Sequence, residues 1–201
     1  MRPSLHLAAA CLAAALACTS PNEGQPPPLQ VKGAVAVAPA AVACDLAGTP
    51  LTVTALGIHL SPSSEGAFLA NPANLCRQRA NETTVNLVLW ANGAGAPATF
   101  AAGAYTPHAD ATGGLSAFQV RLDGSCAVTP PNVFAQRGTV TLSSVTDQRV
   151  AGSVDLVFDD GRTLAASFDA AVVPSAASPC DMFGVQGGAP GVGCGARTCS
   201  P

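Results

Sequence analysis

The sequence predicts an all-β, exported domain, and three observations carry that expectation. Residues 138–170 alternate apolar and polar side chains through strand-length runs separated by turn residues. No window keeps a helical period of apolar residues long enough to compete. The 201 residues are 48% hydrophobic and only 10% charged, which is too apolar for an intrinsically disordered chain and enough for one packed domain. The architecture expected is a single antiparallel β-sandwich-like domain, disulfide-stapled, on a Pro-rich N-terminal tether. It divides into a signal peptide over 1–17, a lipidated cysteine and low-complexity tether over 18–43, the β-domain over 44–180, and a Gly- and Cys-rich tail over 181–201.

Residues 1–17 begin with Arg2, continue through the apolar run Leu5 to Ala17 and contain no acid, as a secretory signal peptide does. The run falls short of the roughly 20 apolar residues that span a bilayer. It ends in Ala15-Leu16-Ala17-Cys18, which resembles the lipobox of bacterial lipoproteins. The resemblance implies acylation of Cys18, a membrane partner through that anchor and, with Thr19 rather than Asp after the cysteine, delivery to the outer membrane. Plain cleavage after Ala17 or a nearby alanine is the alternative.

Eight cysteines are present. With Cys11 in the signal and Cys18 at the anchor, the even set Cys44, Cys76, Cys126, Cys180, Cys194 and Cys199 remains for an oxidising compartment, which predicts three disulfides. Six cysteines allow 15 pairings; Cys194 with Cys199 and Cys126 with Cys180 are preferred. A zinc site or catalytic thiol is the alternative, without a C-x-x-C pair or an H-x-x-x-H partner to support it.

From Thr19 to Lys32 the chain is rich in Pro, Gln, Asn and Gly and includes Pro26-Pro27-Pro28, a semi-rigid tether. Residues 33–43 read either as an edge strand or as more tether, since Pro39 argues against a central strand. Leu51 to Leu60 reads as a strand. Thr83 to Ala91 is apolar on both faces, as a buried strand is, with Trp90 expected in the interior. Leu115 to Leu122 reads as half-buried, Phe118, Val120 and Leu122 on one side and Gln119 and Arg121 on the other.

In 138–170 the even positions are mostly apolar and the odd positions mostly polar. Opposed residues of an antiparallel pair share a face, so each turn must preserve parity. A two-residue Asp160-Gly161 loop would mix the faces. A three-residue Asp159-Asp160-Gly161 loop, with Gly161 left-handed in a bulge, sets Leu156 against Leu164 and Val154 against Ala166. The same parity is expected through the turn at Thr146 to Gln148, giving a three-stranded meander.

The run Gly138-Thr-Val-Thr-Leu, then Arg149-Val-Ala-Gly-Ser-Val-Asp-Leu-Val-Phe-Asp-Asp-Gly, then Leu164-Ala-Ala-Ser-Phe-Asp-Ala with Cys180 beyond, resembles the C-terminal meander of small predicted lipoproteins abundant in myxobacteria. The chain departs from that pattern at Ala166, where Gly is usual, and in the stretch Val172 to Pro179 before the cysteine. The resemblance implies a β-sandwich-like exported domain and no particular chemistry.

The formal charge of −3 and the single lysine, Lys32, offer no basic stripe with interleaved aromatics, so no nucleic-acid partner is expected. The mature chain carries His59, in a strand and expected to be structural, and His108, in a loop and expected to be solvated. No metal site and no cofactor are expected; G-x-S-x-G, H-E-x-x-H and P-loop signatures are absent from the sequence. Asp159 and Asp160 suit a type I turn, while Asp155 and Asp169 hydrate the outer face. Asn81-Glu82-Thr83 matches a glycosylation sequon. The functional expectation is a non-enzymatic structural or interaction module of the cell envelope, engaging an envelope glycan or another envelope protein. The alternative is a glycan or other envelope-ligand binding module using a loop with Tyr105, His108 and Asp110, and after it an unrecognised hydrolase.

Overall fold

The computed structural model describes residues 26–46, 49–62, 77–92, 100–109, 113–173 and 198–200. These residues form strands β1 (Gly33–Leu46), β2 (Thr49–Ser61), β3 (Arg77–Arg79), β4 (Thr83–Asn92), β5 (Gly103–Tyr105), β6 (His108–Ala109), β7 (Gly113–Arg121), β8 (Val133–Val145), β9 (Arg149–Phe158), β10 (Thr163–Val173) and β11 (Thr198–Ser200). The fold is all-β, as expected, but the strands do not stack as a sandwich. The sheet closes on itself as a seven-strand barrel in the order β1-β2-β4-β7-β8-β9-β10. Neighbours around the ring follow the chain, which makes it an up-and-down barrel.

An odd number of strands cannot alternate direction all the way round a closed ring. One parallel pair is therefore required, and it joins the first barrel strand to the last: β1 pairs with β10 at Val35–Ala171, Ala36–Val172 and Val37–Val173. The purely antiparallel sheet expected from the sequence is corrected at this pair. Residues 33–43, left open between strand and tether, are part of β1. Pro39 is accommodated because β10 is paired only as far as Val37 and the β1–β2 register shifts between Val37 and Ala40, so the missing N–H falls at an irregularity.

The meander has the expected register at its second turn. Leu164 faces Leu156 and Ala166 faces Val154. The Phe158 N–H donates to the Arg162 carbonyl and the Gly161 N–H to the Phe158 carbonyl, both at 2.9 Å, with Gly161 at φ +81°. That is the three-residue bulged turn. The first turn differs: Thr146 closes on Arg149 around two residues, Asp147 and Gln148, so Val145 faces Val150 and parity is lost. A bulge between Leu142 and Ser144 restores it, with Leu142 against Gly152. Ser144 is consequently exposed, while odd-numbered Val145 packs on the core.

Apolar side chains from all seven barrel strands fill the interior, among them Ala36, Ile58, Leu87, Ala117, Leu142, Leu156 and Leu164. A barrel of this strand number is narrow enough for side chains to fill it. Residues on the outer wall of β1, β2, β4 and β7, including Val35, Ala55, Val88 and Phe118, are buried as well. The two-sided apolar pattern of β4 follows from this double burial, although Trp90 is only half-buried.

Closure between β7 and β8 is short, through Phe118–Phe134 and Gln119–Val133. Beyond that pair the two strands part, and residues 103–109 fill the gap: Gly103 to Tyr105 continue the ladder on β8, and His108 and Ala109 the ladder on β7. Apart from the barrel, β3 and β11 form a short parallel pair. Among the described residues no helix is long and apolar enough to cross a membrane.

Candidate functional site

The starts of β1, β4, β8 and β10 and the ends of β2, β7 and β9 lie at one end of the barrel, so the β9–β10 turn, the approach to β1 and the approach to β4 converge there. Residues 29–32 run across this end: the Leu29 N–H donates to the Thr163 carbonyl at 2.9 Å and the Lys32 N–H to the Ser61 carbonyl at 2.8 Å.

Strand β7 brings polar side chains into the interior here. Leu115 and Ala117 face the core, so Gln119 and Arg121 share their face by period 2. The expectation that Gln119 and Arg121 lie on the wet side is thereby reversed, and Phe118 is on the outer wall, its ring 5.6 Å from that of Phe134. The physical reason is the strand's position: its last residues reach the barrel end, where a polar group can meet a partner from the turn opposite. That partner is Asp160. Its carboxylate accepts from Gln119 Nε2 at 3.3 Å, from Arg121 Nη2 and from the Arg162 N–H at 3.1 Å, with Arg162 Nε 3.4 Å from Oδ2. Asp160 is thus more than a turn former, whereas Asp159 is exposed in the turn. Gln119 is 1% exposed and its Oε1 has no hydrogen-bond partner, as is true of Arg121 Nε and Arg162 Nε.

Beside this cluster an open groove of about 650 Å³ is lined by Lys32, Arg79, Glu82, Asn81, Pro27 and Arg162, among others. Among the described lining residues the cations Lys32, Arg79 and Arg162 stand with the Glu82 carboxylate, and Asp160, which Arg162 shares with Arg121, lies beside them, so the groove has positive character in a chain of net charge −3. The Glu82 carboxylate accepts a hydrogen bond from the Ser61 hydroxyl. Asp123, at the same end, is turned into its own loop: it accepts from Ser125 Oγ at 2.7 Å, Ser125 N at 2.8 Å and Ala127 N at 2.9 Å, which holds its carboxyl below the usual range. An array of guanidinium and ammonium donors around an open groove is suited to holding an oxyanion. Lys32 was legible as the only lysine, but nothing in the sequence placed it on one groove with Arg162, 130 positions later.

Two of the three residues expected to form a ligand loop are described. Tyr105 is half-buried, packs against the core and donates from its hydroxyl to the Ala101 carbonyl at 2.8 Å. His108 is exposed, its Nδ1 2.9 Å from the Thr106 carbonyl oxygen. Both sit on the segment that seals the β7–β8 gap, and Asp110 lies outside the described residues. His59 is structural: it stands opposite Asn86 in the β2–β4 ladder, its Nδ1 2.7 Å from Asn86 Oδ1, and burial pushes its pKa down against the opposing pull of that bond and of Glu82.

Cys126 is disulfide-bonded. Cys44 lies in β1 and Cys199 in β11, while Cys18, Cys76, Cys180 and Cys194 lie outside the described residues. Among the described residues no group of three or more His, Cys, Asp or Glu side chains is placed to hold a metal ion. No protein-family model, curated protein or solved structure matches this chain.

Proposed function

We propose that this chain is an outer-membrane-anchored lipoprotein that acts as a non-enzymatic interaction module of the cell envelope, with the grooved end of its barrel as the contact surface. The observation that carries the reading is the filled interior. Side chains from all seven strands occupy the space in which larger barrels hold ligands, which leaves recognition to the ends and outer wall. The groove is lined by Pro27 and Lys32, so it lies where the tether meets the barrel. A lipobox-like Ala15-Leu16-Ala17-Cys18 stands ahead of that tether, and the meander resembles those of predicted myxobacterial lipoproteins. The remaining cysteines, with Cys126 already bonded, fit a disulfide framework of an oxidising compartment.

Two measurements test this. Mass spectrometry of the mature N-terminus in membrane fractions is expected to find acylated Cys18; an unmodified chain beginning after another residue would remove the anchor. A photo-crosslinking residue at Gln30, on the groove, is expected to capture an envelope component in intact cells, while the same probe at exposed Ser153 on β9 is not. Equal labelling from both positions would remove the groove as the contact surface.

A further inference from the structure

We propose that the groove at the tethered end of the barrel is a phosphate-binding site, in which Lys32 and Arg162 hold the phosphate group of an envelope component. The inference rests on the groove being the contact surface and adds the chemistry of what it contacts.

Lys32 is exposed on the strap across the barrel end, and its backbone is fixed by the bond to the Ser61 carbonyl, so the ammonium is presented from an ordered position. Arg162 lines the same groove, its side chain 24% exposed. It shares one carboxylate, Asp160, with Arg121, which leaves this cluster with two guanidinium groups for one acid. Its Nε is 3.4 Å from Asp160 Oδ2 and makes no hydrogen bond, although it is buried. The part of the side chain that remains exposed is what the groove can present to an anion. Glu82 is the carboxylate in the lining that opposes an anion, and it is engaged by the Ser61 hydroxyl. Asn81 and Thr83 add amide and hydroxyl groups that can donate to further phosphate oxygens. Among the described residues the lining holds charged and polar side chains and no aromatic ring on which a sugar could stack, so charge is what these residues offer.

The test uses the full chain carrying Cys18→Ala, which removes any acyl attachment, and follows its thermal unfolding midpoint. Inorganic phosphate is compared with chloride at equal ionic strength, because a ligand bound only by the folded state raises the midpoint in a saturable way while simple screening does not distinguish the salts. A saturable rise with phosphate is expected. Charge reversal at exposed Lys32, Lys32→Glu, is expected to weaken the apparent affinity about tenfold or more, the scale of losing one charge-assisted hydrogen bond. Arg162→Gln is expected to do the same. Should Arg162→Gln fail to fold, Lys32→Glu alone decides the matter. No difference between phosphate and chloride, or an equal response in Lys32→Glu, would overturn the proposal.

A second arm separates the sources of the phosphate. Sedimentation with phosphatidylglycerol vesicles that is reversed by inorganic phosphate assigns the site to lipid headgroups; a phosphate response without sedimentation assigns it to a soluble or saccharide-borne phosphate. A groove that crosslinks to an envelope component yet ignores phosphate would end this inference and leave the interaction-module reading standing.

Discussion

Asp160, in the turn between the last two barrel strands, accepts a hydrogen bond from Arg121, 39 residues earlier at the end of β7. One contact thus ties the meander to the other half of the barrel next to the short β7–β8 closure. The Arg121 and Asp160 side chains are 36% and 24% exposed, so the pair is partly screened, but Gln119 and the Arg162 N–H depend on the same carboxylate. Asp160→Ala is expected to destabilise the fold by about 1–3 kcal/mol, the range for leaving buried donors unpaired. Urea unfolding of the single and double variants with Arg121→Met checks it. The double variant should lose less than the sum of the two singles, and strict additivity would show that the contact carries no coupling.

Two glycines with positive φ separate backbone strain from steric exclusion. At Gly161, φ is +81° and an added Cβ meets nothing within 4 Å, so Gly161→Ala is expected to cost about 1–2 kcal/mol from conformation alone. At Gly138, φ is +120° and the added Cβ would stand 2.0 Å from the Asp155 carbonyl oxygen, where neighbouring backbone would have to move. Gly138→Ala should therefore be the more damaging by a clear margin in denaturant midpoint. The reverse order would contradict the β8–β9 register.

Face assignment in β9 is tested by adjacent residues. Leu156 is fully buried in the barrel and Asp155 is exposed beside it. Leu156→Ala is expected to destabilise by about 2–5 kcal/mol, and Asp155→Ala by no more than about 0.5 kcal/mol. Comparable losses at both positions in chemical denaturation would place the strand with neither face inside.

The His59 imidazole titrates below its ordinary value of 6.5 because burial disfavours the charged form. The unfolded chain therefore binds the proton more readily. Stability from this group is complete above pH 6.5 and declines as pH falls through the interval between the unfolded and folded pKa values, then levels off. The unfolding midpoint followed between pH 7.5 and pH 5.0 should show that decline in the parent chain and lose its His59 share in His59→Gln. An identical pH profile in the variant would mean that the ring is as well hydrated in the folded state as in the unfolded one.

The meander was legible in the sequence because the information lies in short stretches. Alternating polarity assigns Leu156 and Leu164 to one face, and the chemistry of Asp159-Asp160-Gly161 sets the loop length that keeps them opposed. The first turn was less legible. Thr146 to Arg149 form a two-residue loop held by the Thr146 hydroxyl, which accepts from the Arg149 N–H at 3.0 Å, and the parity this breaks is restored by a bulge at residues with no distinctive composition. The candidate site was barely legible. Of the expected loop of Tyr105, His108 and Asp110, the first two stand where the chain bridges two diverging strands, a placement set by long-range pairing that no local pattern encodes, and Asp110 lies outside the described residues.

By itself the sequence determined that the chain is built of strands, which residues of 150–170 face inward, and how β9 and β10 meet, since period-2 patterning and turn chemistry act over a few residues. Only the tertiary structure decided that the sheet closes into a barrel. Closure rests on the parallel β1–β10 pairing and the two-residue β7–β8 contact, joining positions more than a hundred residues apart in the first case, and no local pattern encodes which edges meet. The same closure turns Gln119 and Arg121 inward to Asp160 and sets Lys32 and Arg162 on one groove. A polar residue on a strand looks solvated until the partner that compensates its burial is brought to it from elsewhere in the chain.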